Sequence, residues 1–209
     1  MNLKEIIAQL LLERTNLDVI DRPFIVGIDG LGGAGKTTFV NEMEKGLTNQ
    51  DCQLVVLHID DYIVRKNKRY NTGHEEWFEY YYLQWDIKLL AKVFFEKMHQ
   101  DFRNVSLPLY NNKTDSISLK STNIRPNSIV LIEGVFLQRI EWRDFFDFVI
   151  FIECSRKLRM ERVLNRDAYI GNQKERLSKY QRRYWLGEEH YLKTENPIEK
   201  ADAIYNAIS

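Results

Sequence analysis

The chain has little cysteine, no net charge and no long apolar run, and each absence excludes a class of protein. Two cysteines in 209 residues, Cys52 and Cys154, cannot build a disulfide framework, and they lack the C-x-x-C spacing of a metal or redox motif. Both lie in or beside apolar stretches and read as reduced core residues. Thirty Lys and Arg balance thirty Asp and Glu, so no overall positive field draws the chain onto nucleic acid. No run approaches about 18 apolar residues, which argues against a membrane span. No small-residue cleavage site follows the amphipathic N-terminus. The expectation is a cytoplasmic protein with neither a nucleic-acid nor a membrane partner. Repeats and low-complexity tracts are missing as well. The length and 44% hydrophobic content suit one domain over residues 1–209 with a single sizeable core.

What is present is concentrated. Four glycines fall within six positions, in Gly30-Leu31-Gly32-Gly33-Ala34-Gly35-Lys36-Thr37. This reads G-x-x-x-x-G-K-[ST], the phosphate-binding P-loop. So little side-chain bulk lets the backbone wrap an anion with its N–H groups turned inward. Lys36 is expected at the β- and γ-phosphates and the Thr37 hydroxyl on Mg²⁺. Residues 24–28 form an apolar run of buried-strand type before the loop, and Phe39, Val40, Met43 and Leu47 recur at helical spacing after it. Strand, glycine loop and helix together bring a helix N-terminus to a phosphate. Gly30, Gly32 and Gly35 also spell the dinucleotide fingerprint G-x-G-x-x-G. That fingerprint needs no Lys-Thr and expects a ribose-binding acid about 20 residues on, whereas the nearest strand-end acid is Asp60.

The remaining pattern alternates strand and helix. Leu3, Ile6, Ile7, Leu10 and Leu11 make one helical stripe, so residues 1–20 are read as an N-terminal helix. Residues 53–59, 128–132, 148–152 and 203–205 read as further strands, residues 65–73 as a polar, basic loop. Residues 75–99 read as helical with a break near Gln84-Trp85-Asp86, and residues 155–166 and 173–192 as two more helices. Within residues 104–122, two short alternating runs flank Asn111-Asn112-Lys113-Thr114-Asp115, the mark of a β-hairpin. The crowd of Trp77, Phe78, Tyr80, Tyr81, Tyr82 and Trp85 exceeds one core stripe; it reads first as core, with some of these rings as candidates to line a substrate pocket. The alternation implies an α/β fold with a parallel sheet and helices on both faces.

In such sheets the ligand sits at the carboxyl ends of the strands. The first strand delivers the P-loop there, the second Asp60 and Asp61, the third Glu133. Phosphoryl transfer needs a group to hold Mg²⁺ and another to accept a proton from the attacking hydroxyl. Arg159, Arg162 and Arg166, at i, i+3 and i+7, share one helix face suited to neutralising a moving phosphoryl charge.

These segments resemble the uridine kinase, nicotinamide riboside kinase and phosphoribulokinase group of P-loop small-molecule kinases. The resemblance is carried by Gly30–Thr38, His58-Ile59-Asp60-Asp61-Tyr62, Ile132-Glu133-Gly134 and Arg159-x-x-Arg162-x-x-x-Arg166-Asp167, with Pro108-Leu109-Tyr110-Asn111 similar to the hairpin motif. It implies a three-layer α/β/α P-loop fold with a mostly parallel central sheet, a hairpin insertion at 104–122 and a lid over 155–190. It also implies ATP and Mg²⁺ as cofactors and a small-molecule phosphate acceptor, most simply a nucleoside or riboside, with a homo-oligomer compatible. By motif, Asp60 becomes the catalytic base, with Lys36, Arg159 and Arg166 as catalytic partners. Gly30, Gly32, Gly33, Ala34, Gly35, Lys36, Thr37, Thr38 and Arg162 would bind the nucleotide. Thr37, Glu133 and Asp61 would serve the metal. Asp60, Tyr62, Tyr110 and Arg159 would meet the acceptor. Asn111 stands where nucleoside kinases of this group usually carry Asp, and the histidine expected a few residues beyond Tyr110 is missing.

Two other readings compete. Asn112-Lys113-Thr114-Asp115 spells the guanine-reading N-K-x-D of GTPases. Between Thr38 and Asn111, however, the only glycines are Gly46 and Gly73, neither with the Asp three residues before it that a GTPase switch needs. The second alternative is an ATP-binding regulatory module with little or no turnover.

Overall fold

The structure is a computed structural model describing residues 1–17, 21–48 and 50–207. Its strands are β1 (Phe24–Gly30), β2 (Leu54–His58), β3 (Val105–Asn111), β4 (Ser116–Thr122), β5 (Ile129–Gly134), β6 (Phe148–Glu153) and β7 (Ala203–Asn206). Five of them form one sheet in the order β2-β5-β1-β6-β7, and every pairing in it is parallel. A central parallel strand is covered on both faces, which is why β1 and β5 read as unbroken apolar runs and are buried along their whole length. Strand β2 has a neighbour on one side only and is largely half-buried.

Successive side chains alternate across the sheet and divide the interior in two. Phe24, Val26 and Ile28 of β1, with Ile129 and Leu131 of β5, pack under α1 (Leu3–Asn16) and α2 (Lys36–Leu47). Ile25, Val130 and Ile132 face the other way, onto Trp85, Phe94, Phe136, Trp142 and Tyr191. The stripe expected on α2 is the buried one, Phe39, Val40, Met43 and Leu47. On α1, Ile6 and Leu10 are fully buried, and Asn2 and Glu5 close a capping box at its start. Residues 18–20 of the expected N-terminal helix lie outside the described residues.

Residues 65–73 differ from expectation: they hold a helical turn, α3 (Lys66–Arg69). The aromatic region breaks where Gln84-Trp85-Asp86 predicts, into α4 (Glu76–Tyr82) and α5 (Ile87–Leu90), which runs through a π-helical turn into α6 (Lys97–Gln100). After α7 (Arg156–Arg166), the expected single helix over 173–192 is α8 (Gln173–Lys179) and α9 (Leu186–Glu195), joined by a second π-helical turn, Tyr180–Trp185. A π turn inserts an extra residue into the helical repeat and re-aims the side chains around it.

Strands β3 and β4 pair as a separate antiparallel hairpin. At its tip Asn111 Oδ1 accepts from the backbone N–H of Lys113 at 2.9 Å and of Thr114 at 3.3 Å. The N-K-x-D letters are thus turn chemistry. Among the described residues no helix is long and apolar enough to cross a membrane.

Candidate active site

Three strand ends converge on one cavity of ≈ 860 Å³, within the range of small-molecule sites. The P-loop leaves β1. A 3₁₀ turn, Ile59–Tyr62, leaves β2. Glu133 ends β5, opposite His58 on β2 and Ile28 on β1. In a 3₁₀ turn, residues i and i+3 share a face. Ile59 and Tyr62 therefore turn into the core together, and Asp60 and Asp61 are left facing the cavity. The turn sits hard against β5: a Cβ on Gly134 would stand 2.0 Å from Ile59 Cγ2, so glycine at 134 leaves room for the Ile59 side chain.

The P-loop is braced from outside and within. Helix α7 presses on it so closely that a Cβ on Gly33 would fall 2.7 Å from Val163 Cγ1, and Gly33 has φ +78°, a conformation natural only to glycine. Lys36 Nζ donates to Gly30 O at 2.9 Å and Leu31 O at 3.1 Å. An ammonium has three donors, so one remains for a phosphate. Burial lowers the Lys36 pKa, opposed by Glu133, Asp60, Asp29 and Glu188. Burial also raises the Asp60 carboxyl above its ordinary value, with Lys36 pulling it down and Glu133 and Asp61 pushing it up. Lys36, half-buried, and Asp60, open to the cavity, thus favour each other's charged form across the site. Thr37 Oγ1 donates to Glu133 Oε1 at 3.4 Å, and His58 Nδ1 lies 2.7 Å from the same oxygen.

The cavity brings together most of the sequence-predicted residues. Gly32, Gly33, Gly35, Lys36, Thr37, Thr38, Asp60, Asp61, Tyr110, Glu133, Arg162 and Arg166 all line it. Four others do not. Gly30 lies behind the loop, where its N–H donates to Asp29 Oδ1, and Ala34 N–H closes a turn onto Leu31 O at 3.1 Å. Tyr62 packs on Phe94, ring centroids 5.2 Å apart, in the core for the helical reason just given. Arg159 is the main correction. Its guanidinium is buried under the loop, donating to Glu188 Oε2 at 2.8 Å and Gly32 O at 3.2 Å, so it supports the P-loop and does not line the cavity. The other two arginines of the face divide. Arg162 reaches Ala34 O at 3.2 Å. Arg166 forks onto Asp167, which also accepts from Tyr180 Oη.

The sequence profile of the Phosphoribulokinase / Uridine kinase family matches residues 25–183. The chain belongs to this family. Its relatives include the uridine kinase of Lactobacillus johnsonii, 29% identical over 155 residues covering 70% of this chain and 69% of that protein. A Staphylococcus aureus uridine kinase is 29% identical over 154 residues, covering 69% and 68%. A Bacillus stearothermophilus protein described as a possible uridine kinase is 38% identical, with a TM-score of 0.75, and the match covers 96% of this chain and 99% of that one. The family makes the chain an ATP-dependent kinase with the α/β P-loop fold seen here.

In this kinase several cavity residues escaped sequence reasoning. Lys66, Arg69 and Tyr70 come from the segment read as a loop, and Tyr169, Tyr180, Tyr184 and Glu188 from the lid region. Of the expected aromatic crowd, Tyr80 alone lines the cavity. Glu188 Oε1 accepts from Gly32 N–H at 2.7 Å, so with Arg159 it pins the front of the P-loop. Behind the loop, the fully buried Asp29 accepts from Gln138 Nε2 at 3.0 Å, Gly30 N–H at 2.8 Å and Tyr191 Oη. Burial raises its carboxyl, and these donors hold it down.

Proposed function

We propose that the kinase phosphorylates a hydroxyl group of a nucleoside or riboside. The observation that carries this is that Asp60 and Lys36 line one cavity together with the P-loop. The relatives named as uridine kinases support the substrate class. In the proposed step the acceptor hydroxyl oxygen attacks the terminal phosphorus of ATP, the bond to the ADP oxygen breaks with its electron pair, and the hydroxyl proton passes to Asp60. A base raised by burial yet held ionised by a neighbouring cation suits that task. Lys36, Arg162 and Arg166 neutralise charge on the transferring group. The P-loop amides and Thr38 cradle the phosphates, and Tyr110 stands on the acceptor wall.

Thr37 and Glu133, with Asp61 on the same wall, fit Mg²⁺. They are hard oxygen donors beside the phosphate loop. Among the described residues no cluster of three or more His, Cys, Asp or Glu forms a cage for a metal. Mg²⁺ bound through one or two protein oxygens plus phosphate and water needs no such cage. When bound it would screen the negative charge of the β- and γ-phosphates.

The test is ADP release from Mg-ATP across nucleosides, ribosides and pantothenate. The expected result is at least one nucleoside or riboside well above the background without acceptor. Equal background rates across the whole panel would contradict the proposal and favour a binding module.

A further inference from the structure

One guanidinium on the cavity wall has no carboxylate paired to it directly. Arg69, at the end of α3, is 4% exposed and lines the wall. Its Nε donates to Val64 O at 2.9 Å and its Nη2 to Tyr110 Oη at 3.2 Å. The rings of Tyr70 and Tyr110 lie beside it, 4.8 and 5.3 Å from the guanidinium carbon. Among the described residues no carboxylate comes within 4.0 Å of it, and Nη1 has no hydrogen-bond partner.

Comparison within the molecule sharpens the point. Arg159 and Arg183 are as deeply buried, and each faces a carboxylate, Glu188 at 2.8 Å and Glu79 at 3.1 Å. Arg139 also lacks a carboxylate, but it lies against the rings of Tyr81 and Trp142 and does not line the cavity. Arg69 combines the missing partner with an open path to it. The surroundings add positive charge. Arg183 and Lys179 stand 4.2 and 5.5 Å from the Tyr70 ring, and Lys66 lines the same wall. Glu79 balances Arg183. Asp115 accepts from Tyr110 Oη at 2.9 Å and from the Lys66 backbone N–H at 2.9 Å. It reaches the guanidinium only through that hydroxyl, and its carboxyl is held below the ordinary value by the Lys66 N–H first and in part by Arg69. It thus offsets Arg69 in part and leaves Nη1 unpaired.

A buried guanidinium without a counter-charge is costly, and buried charges in folded proteins are paired. We infer that the phosphate acceptor carries an anionic group, a carboxylate or a phosphate, seated on Arg69 Nη1 with Lys66 beside it. The inference rests on the kinase reading above and narrows it, since a neutral nucleoside leaves Arg69 Nη1 without a charged partner. The planar fork of arginine matches the paired oxygens of either anion. It also orients the acceptor. The charged end is drawn to Arg69 and repelled by Asp60, which leaves a hydroxyl at the base.

Two probe pairs that differ by one anionic group test this: orotidine against uridine, and ribose 5-phosphate against ribose. ADP release from Mg-ATP and the thermal shift produced by each probe are measured together. In at least one pair the anionic member is expected to exceed its neutral partner by about tenfold or more in kcat/KM, the scale of one charge-assisted hydrogen bond, and to stabilise the protein at lower concentration. The pair that discriminates tells carboxylate from phosphate. Arg69→Gln should bring the ratio near one while Mg-ATP still stabilises the variant as it does the wild type. Lys66→Gln, at an exposed position, should reduce the ratio part-way and guards against a folding defect at position 69. Neutral probes turned over as well as anionic ones in both pairs, with Arg69→Gln indifferent, overturn the anion site and leave the kinase intact. A charge-dependent thermal shift without ADP release supports the anion site and counts against the kinase reading. No shift and no turnover with any probe count against both.

Discussion

Asp60→Asn is expected to lower kcat by a factor of about 10² to 10⁴, the range for loss of a positioned general base, while Mg-ATP binding survives. Asparagine keeps the size of the side chain and its place on the Ile59–Tyr62 turn, but it cannot take the hydroxyl proton. The pH dependence supplies an independent check. Burial lifts the Asp60 carboxyl, and Lys36 only partly offsets it. The base must be ionised to work, so kcat/KM falls as pH drops through a pKa above the ordinary carboxylate value. That limb belongs to the free enzyme and should vanish from the residual activity of the asparagine variant. A variant with full turnover and an unchanged acid limb would remove Asp60 from the chemistry and return weight to a binding module.

Lys36→Ala is expected to cut kcat/KM for ATP by about 10² to 10³ or more, the effect of deleting one preorganised charge-stabilising group. Two losses combine. The phosphate loses its ammonium, and the loop loses the bonds from Nζ to Gly30 O and Leu31 O. A third effect reaches Asp60, whose carboxyl loses the cation that favours its ionised form. In any activity that remains, the acid limb should therefore move to higher pH. Steady-state kinetics over a pH series measures both effects, and unaltered kcat/KM would count against the whole site.

The parts legible in the sequence are those that repeat along it. The unbroken apolar runs over residues 24–28 and 128–132 mark two buried strands, and the stripe Phe39, Val40, Met43 and Leu47 places α2. The P-loop is legible because its letters are its geometry. Arg159 shows where such reading stops. Helical spacing groups it with Arg162 and Arg166 on a face, but what lies opposite is Glu188, 29 residues on, and no period encodes that meeting. Tyr62 lies in the core, away from the cavity lining, for a related reason. Strand spacing cannot foresee that a 3₁₀ turn follows β2 and sends residues 59 and 62 inward together. The cavity wall around Arg69 was hidden most fully. Arg69 ends a four-residue helical turn and Tyr70 follows it, Tyr180 and Tyr184 come from a π turn, and both turns lie outside the two regular periods. The signal available was coarse: Arg65, Lys66, Lys68 and Arg69 form a local basic cluster in a chain of zero net charge.

The account turns on where the end of the triphosphate points. A crystal structure with Mg²⁺ and a non-hydrolysable ATP analogue measures that directly. The terminal phosphorus should lie between Lys36 Nζ and the Asp60 carboxylate, with space for one acceptor oxygen about 3–3.5 Å from the phosphorus. An analogue bound with its terminal phosphate turned away, and packed side chains between it and Asp60, would contradict the account.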